Sequence, residues 1–246
     1  MASLLEVQGV SKRFGGLYAL RNVTISVDAG CVFGLIGPNG AGKTTLLNCI
    51  AGVHAPDAGE ILFGGVRVTG QPPHVVCKFG IARTFQIVKP FPKLTVLQNV
   101  MVGALFGRNR YTPREADHLA REMLEFVEFD LPVDAPAESL NTVQLKRMEL
   151  ARALATGCRL ILLDEFAAGL TPAELERSGD LIRRIRSKGV TVVMVEHLMK
   201  LIMAVCDQIA VLHFGELISQ GSPEKVATDP KVIDAYLGER QQMDVA

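Results

Sequence analysis

The octapeptide GPNGAGKT, from Gly37 to Thr44, limits what this chain can fold into more than any other stretch. It fits the pattern G-x-x-x-x-G-K-[ST], follows the apolar run Val32 to Ile36 and leads into TTLLNCIAG, which reads as a helix ending near Gly52. Strand, glycine-rich turn and helix in that order make a phosphate-binding loop. Its turning backbone amides and the helix N-terminus form a nest for anionic oxygens. Gly37, Pro38, Asn39, Gly40, Ala41, Gly42, Lys43, Thr44 and Thr45 are therefore the expected nucleotide-binding residues. Lys43 is placed to reach the β- and γ-phosphates of ATP, and Thr44 to offer its hydroxyl to Mg²⁺.

Such a loop sits at the end of a parallel strand, and the remaining pattern supplies the sheet. Leu4 to Val7, Val23 to Val27, Glu60 to Phe63, Val66 to Val68, Ile81 to Phe85, Leu160 to Leu163, Thr191 to Val195, Val205 to Leu212 and Glu216 to Ser219 read as strands. Gly64-Gly65 marks a hairpin between the third and fourth of these. Pro72-Pro73 opens a short helix that stops at Gly80. Thr95 to Phe106 and Pro113 to Phe129 are helical, the second with Thr112 as N-cap and Glu115 completing a capping box. Thr171-Pro172 with Glu174 starts another capped helix, ending near Gly189, and Ser222-Pro223 and Asp229-Pro230 open two short ones. Strands alternating with helices imply an α/β fold of the P-loop NTPase kind: a mostly parallel sheet with an antiparallel β segment and an inserted helical subdomain. Residues 1–246 are expected to form one domain, with 1–87 and 158–220 as the nucleotide-binding core, 88–157 as the helical subdomain and 221–246 as a helical tail.

A second chemical signal lies about 120 residues beyond the loop. LILLDE, from Leu160 to Glu165, is a buried strand ending in two carboxylates. Asp164 is placed beside the phosphate loop, where it can hold Mg²⁺ through water, and Glu165 can orient or deprotonate an attacking water.

Composition sets the remaining bounds. A hydrophobic fraction of 48% together with 23 glycines argues against disorder. Lys and Arg number 26, and so do Asp and Glu, so there is no basic surplus for nucleic acid. The cysteines, Cys31, Cys49, Cys77, Cys158 and Cys206, are scattered without metal-ligand spacing and read as reduced core thiols. The N-terminal MASLLEVQGV lacks a basic segment and carries Glu6, unlike a signal peptide. Val190 to Phe214 is interrupted by Glu196, His197, Lys200 and Asp207, so any membrane crossing is expected to fall to other subunits.

Taken in order, these residues resemble the ATP-binding subunits of ABC transporters over nearly the whole chain. The resemblance implies that Phe14, in KRFGG, stacks on adenine, with Tyr18 as its rival. It implies that Gln86, in RTFQ, senses Mg²⁺ and the γ-phosphate while meeting the membrane subunit, and that His197, in VEH, contacts the γ-phosphate. More narrowly, GIARTFQ at Gly80, AAGLTP at Ala167, VEHLMK at Val195 and GSPEKVATDPKVIDAYLGE at Gly221 are similar to the branched-chain amino acid importer group. That group carries Leu, Ile and Val, and in some members urea or short amides. The implied partners are integral membrane subunits, a second ATPase subunit and, indirectly, a solute-binding protein. The implied location is the cytoplasm, peripheral on the inner face of the cell membrane. An ATP-gated subunit without useful hydrolysis, and the ATPase of an exporter or lipid-extracting system, stand as alternatives.

The chain departs from the family where the signature loop, usually close to LSGGQ, should precede QLKRMELARAL. The aligned residues are Leu140, Asn141, Thr142, Val143 and Gln144. Asn141 can replace the serine hydroxyl with its amide and also cap the helix. Val143 sets a β-branched side chain where glycine permits close approach, so the site to which this chain lends its signature is expected to be weaker, or tuned differently. Phe166 stands in place of a proline, and Thr171 where Asp or Asn is common.

Overall fold

A computed structural model describes residues 3–109 and 111–243, with side chains as far as Tyr236. Two long antiparallel strands open the chain, β1 (Ser3–Phe14) and β2 (Leu17–Asp28), followed by β3 (Val32–Ile36) and helix α1 (Lys43–Ile50). Next come β4 (Ala58–Phe63), β5 (Val66–Arg67), α2 (Pro73–Phe79) and β6 (Ile81–Arg83). Helices α3 (Val96–Phe106), α4 (Pro113–Phe126) and α5 (Thr142–Ala155) fill the middle. The chain then alternates through β7 (Leu160–Asp164), α6 (Pro172–Ser187), β8 (Thr191–Val195), α7 (Met199–Val205) and β9 (Gln208–His213). It closes with β10 (Glu216–Gly221), α8 (Pro223–Ala227) and α9 (Pro230–Met243).

The strands form two sheets. One is antiparallel, in the order β2-β1-β4-β5; the other runs β10-β9-β3-β8-β7-β6, parallel except for β10. Every residue of β3, β7 and β8 is buried, which is why they read as uninterrupted apolar runs. Alternate side chains feed two cores. Phe33, Leu35, Leu160, Leu162, Val193 and Val195 join α1 and the antiparallel sheet. Val32, Ile36, Ile161, Leu163, Val192 and Met194 join the cluster that holds α3 to α7.

Several expected boundaries shift. β1 runs well past Val7 because Gly9 adopts a left-handed φ of 61° and the register with β2 slips between Val7 and Val10, carrying the strand through polar residues. β6 stops at Arg83 rather than Phe85, and α4 at Phe126 rather than Phe129. Helix α7 has no counterpart in the sequence reading: Leu198 gives it no side-chain cap, and only the burial of Leu201, Ile202 and Val205 marks its inner face. Gly64 and Gly65, with φ of 56° and 77°, make the expected two-residue hairpin turn. Thr112–Glu115 and Thr171–Glu174 close the expected capping boxes. The five cysteines are free, and no described helix is long and apolar enough to cross a membrane.

Asn99, wholly buried in α3, ties down the segment that follows β6. Its Oδ1 accepts the Phe91 amide at 2.8 Å, and its Nδ2 donates to the carbonyls of Phe91, Leu94 and Thr95. Asn99→Leu strands these backbone groups, and we expect it to lower unfolding free energy by about 3 kcal/mol, measured by chemical denaturation.

Candidate functional site

The strand order places the chemistry. β3, β8, β7 and β6 lie side by side and parallel, so the segments leaving their C-terminal ends meet along one edge. From β3 comes the glycine loop, from β8 Glu196 and His197, from β7 Asp164 and Glu165, and beyond β6 Gln86. A cleft of about 650 Å³ opens there, lined by Gly16 to Ala19, Arg21, Asn39 to Thr45, Glu165, His197 and Phe214.

The loop takes the shape that its glycines allow. Gly37, Gly40 and Gly42 have φ of 144°, 75° and 101°. A Cβ on Gly37 would stand 2.0 Å from the Leu212 carbonyl, and one on Gly42 2.4 Å from that of Ala19. The loop is thus pressed against β9 and β2, with α1 beginning at Lys43. Lys43 is buried, and its Nζ donates to the carbonyls of Gly37 and Pro38 at 2.6 and 2.7 Å. Curled loop, lysine and helix start together make an anion cradle.

Glu165 joins the other segments. Its Oε2 accepts a hydrogen bond of 2.6 Å from Gln86 Nε2, and its Oε1 lies 3.0 Å from His197 Nε2. The carboxylate is an acceptor only, so the imidazole carries its hydrogen on Nε2. Glu165 itself holds a left-handed φ of 50°, fixed by its amide donating to the Val195 carbonyl. Two residues drawn from distant stretches of sequence, Gln86 and His197, thus share the Glu165 carboxylate.

For Mg²⁺ the donors are hard oxygens, and they fit. Thr44 lines the cleft, and Gln86 bonds Glu165 through its nitrogen, which leaves the amide oxygen as a donor. Asp164 is buried with Oδ2 on Arg83 Nη2 at 2.8 Å. Its other oxygen faces no partner competition from that pair. Among the described residues no group of three or more His, Cys, Asp or Glu could hold a metal alone; a site completed by phosphate oxygens and water suits Mg²⁺.

Phe14 and Tyr18 separate. Tyr18 lines the cleft but already has the guanidinium groups of Arg13 and Arg21 over its ring, at 4.9 and 5.0 Å. Phe14 is not among the lining residues; its half-exposed ring meets His54 edge-on at 5.3 Å.

Four buried charges support the site and were not legible in the sequence. Arg83 pairs with Asp164 and also donates to Asn48 Oδ1 on α1. Lys146 Nζ donates to the carbonyls of Glu165, Phe166 and Ala168 at 3.1, 3.2 and 2.8 Å; burial holds its ammonium below the usual lysine range. Glu196 accepts the Ala167 amide at 2.7 Å, and burial pushes its carboxyl up. Glu149 accepts the Phe85 amide at 3.2 Å, and burial pushes it to about 7 despite Arg152. Lys146 and Glu149 lie on α5, a helix buried on nearly every side, which only the fold reveals. Phe166 is itself buried in the core, a reason for an apolar residue there. At the signature, Asn141 caps α5 through a capping box with Gln144, both bonds 3.0 Å.

Residues 20–168 match the ABC transporter family. The chain belongs to that family. Residues 216–241 also match the branched-chain amino acid ATP-binding cassette transporter family. The ABC chain is 39% identical to the high-affinity branched-chain amino acid transport ATP-binding protein BraF of Pseudomonas aeruginosa, covering 96% of this chain and 98% of that one. To LivG of Escherichia coli K12, described in the same terms, it is 37% identical over the same shares. Its fold is similar to that of an ABC transporter ATP-binding cassette in its ADP conformation, with a TM-score of 0.86, 31% identity, and 97% and 100% of the two chains covered. A dimeric cassette in a post-hydrolysis state bound to ADP and Pi gives 0.80 at 27% identity, over 89% of this chain and 99% of that one.

The raised Glu149 carboxyl carries a sign. Its folded value lies above its unfolded one, so the stability it contributes is full below about pH 4.5 and is lost as pH rises through about 7. Glu149→Gln removes that loss. The variant's advantage over the parent in urea melts should grow by about 2–3 kcal/mol between pH 4.5 and 8.

Proposed function

We propose that this ABC subunit hydrolyses ATP to power uptake of branched-chain amino acids or related small amides through membrane partners. The observation that carries the hydrolytic reading is the shared carboxylate of Glu165, bonded to Gln86 and His197 at the mouth of the phosphate cradle. The solute class rests on relatives of matching length named for branched-chain amino acid transport.

The mechanism is positioning plus electrostatics. Lys43 and the amides of the glycine loop hold the β- and γ-phosphates, and Phe14, whose half-exposed ring has the Lys12 ammonium 5.6 Å from its centroid, takes the adenine. Thr44, Gln86 and, through water, Asp164 would hold Mg²⁺, which when bound would supply screening of the phosphate charge. Glu165 orients the attacking water and accepts its proton. His197 fixes one of its oxygens through the Nε2 hydrogen and, when nucleotide binds, turns that same donor to the γ-phosphate. Gln86 fixes the other oxygen, so that its segment reports on the reacting group.

Two further structural readings belong to this proposal. Residues 1–87 and 158–220 act as the nucleotide-binding core, and 88–157 as the subdomain that moves against it. Residues 221–246 act as a helical tail, the last three lying outside the described ones. A groove of about 370 Å³ beside Gln86, lined by Arg83, Phe85, Phe91, Phe106, Glu149 and Arg152 among others, receives the membrane subunit. The exposed rings of Phe85, Phe91 and Phe106 give it an apolar rim. Two such chains, identical or homologous, close around two ATP molecules on the inner membrane face, and a solute-binding protein delivers the cargo.

Purified chain should bind ATP and turn it over with Mg²⁺, and both Lys43→Ala and Glu165→Gln should cut turnover by about a hundredfold or more. Glu165→Gln should still bind nucleotide. Binding without turnover in the parent would mean that Leu140–Gln144 fails as a signature and that a second, different ATPase subunit supplies one.

A further inference from the structure

The segment after β6 must be held for Gln86 to meet Glu165, and its anchors can be traced. The Thr84 amide donates to the Leu162 carbonyl of β7 at 2.9 Å. The next amide, Phe85, donates to Glu149 on α5. Both terminal nitrogens of Arg152 on α5 reach the Lys89 carbonyl at 3.3 Å, and Phe91 is held by Asn99. Phe85 is thus the last of these anchors before Gln86, and Glu149 provides it.

Stability does not explain a carboxylate at this place. Glu149 is 3% exposed, its Oε1 is buried without a hydrogen bond, and Arg152 lies 3.6 Å away. An apolar side chain of similar size would avoid the desolvation cost of a charge but would leave the Phe85 amide without its acceptor. What the acid supplies is an acceptor aimed at one backbone amide, one residue from Gln86.

We propose that Glu149 is a positioning residue for hydrolysis: by accepting the Phe85 amide it fixes the backbone from which Gln86 reaches the Glu165 carboxylate. This role rests on the reading above that Gln86 and Glu165 serve ATP turnover. It adds a residue on the signature helix, outside the nucleotide loop and touching no reacting atom. Glu149 works through the chain from Phe85 to Gln86 to Glu165.

The test compares parent, Glu149→Leu and Glu149→Gln in the assembled transporter, with Glu165→Gln as control. Leu matches the size without an acceptor, whereas Gln keeps an oxygen for the amide. For Glu149→Leu we expect kcat to fall about tenfold, with KM for ATP within about twofold of the parent. Glu149→Gln should recover most of the rate. Amide exchange at Phe85, followed in the isolated chain, should quicken in the Leu variant and stay slow in the Gln variant, with Ala41 to Thr45 unchanged. A merely structural glutamate would shift the melting temperature and leave both the kcat–KM split and the Gln rescue absent. Parent-like kcat in a folded Glu149→Leu overturns the proposal alone. A parent that binds ATP but matches Glu165→Gln in having no turnover overturns the hydrolytic reading, and this role with it.

Discussion

The carboxylate of Glu165 is the point through which the parts of this site are joined. One oxygen is taken by Gln86 and the other by His197, residues 79 and 32 positions away in the chain. Each bond depends on strand pairing, Gln86–Glu165 on that of β6 with β7 and His197–Glu165 on that of β7 with β8, because each partner follows a different strand. The left-handed backbone at Glu165 is tolerable for the same reason: its amide is committed to Val195 at the end of β8. The sheet thus sets the geometry, and the loops have little freedom to choose it.

Helix α5 provides the second constraint. One face presents Lys146, Glu149 and Arg152 at steps of three residues, and each reaches backbone groups near the site. Lys146 gathers the carbonyls after β7, while Glu149 and Arg152 hold the segment after β6. Asn141 caps the same helix at the signature. The cap at Asn141 and the side chains that hold the segments around Glu165 therefore belong to one helix of about 21 Å. That arrangement places buried charge where packing alone would favour apolar groups, and the charges are kept affordable by backbone partners.

Much of this was legible in the sequence, and the reasons are physical. Strands buried on both faces wrote themselves as uninterrupted apolar runs at Val32–Ile36, Leu160–Leu163 and Thr191–Val195. Capping boxes at Thr112 and Thr171 are local and need only four residues. The phosphate loop is local too. The length of β1 was hidden by the irregularity at Gly9, and α7 by its lack of a cap. Arg83, Lys146, Glu149 and Glu196 gave no signal because their partners lie 19 to 81 residues away, and a lone charge in a helix or strand looks the same whether solvated or clasped. The solute class proposed above rests on the relatives' names rather than on residues of this site.

The most direct test of the account is a double-mutant cycle on turnover with Gln86→Ala and His197→Ala. If both act through the Glu165 carboxylate, either change alone misplaces it, and the double variant should lose little more than the worse single one. Losses that multiply, with the double variant slower by the product of the two single effects, would show that Gln86 and His197 act separately and that the shared carboxylate does not unite the site.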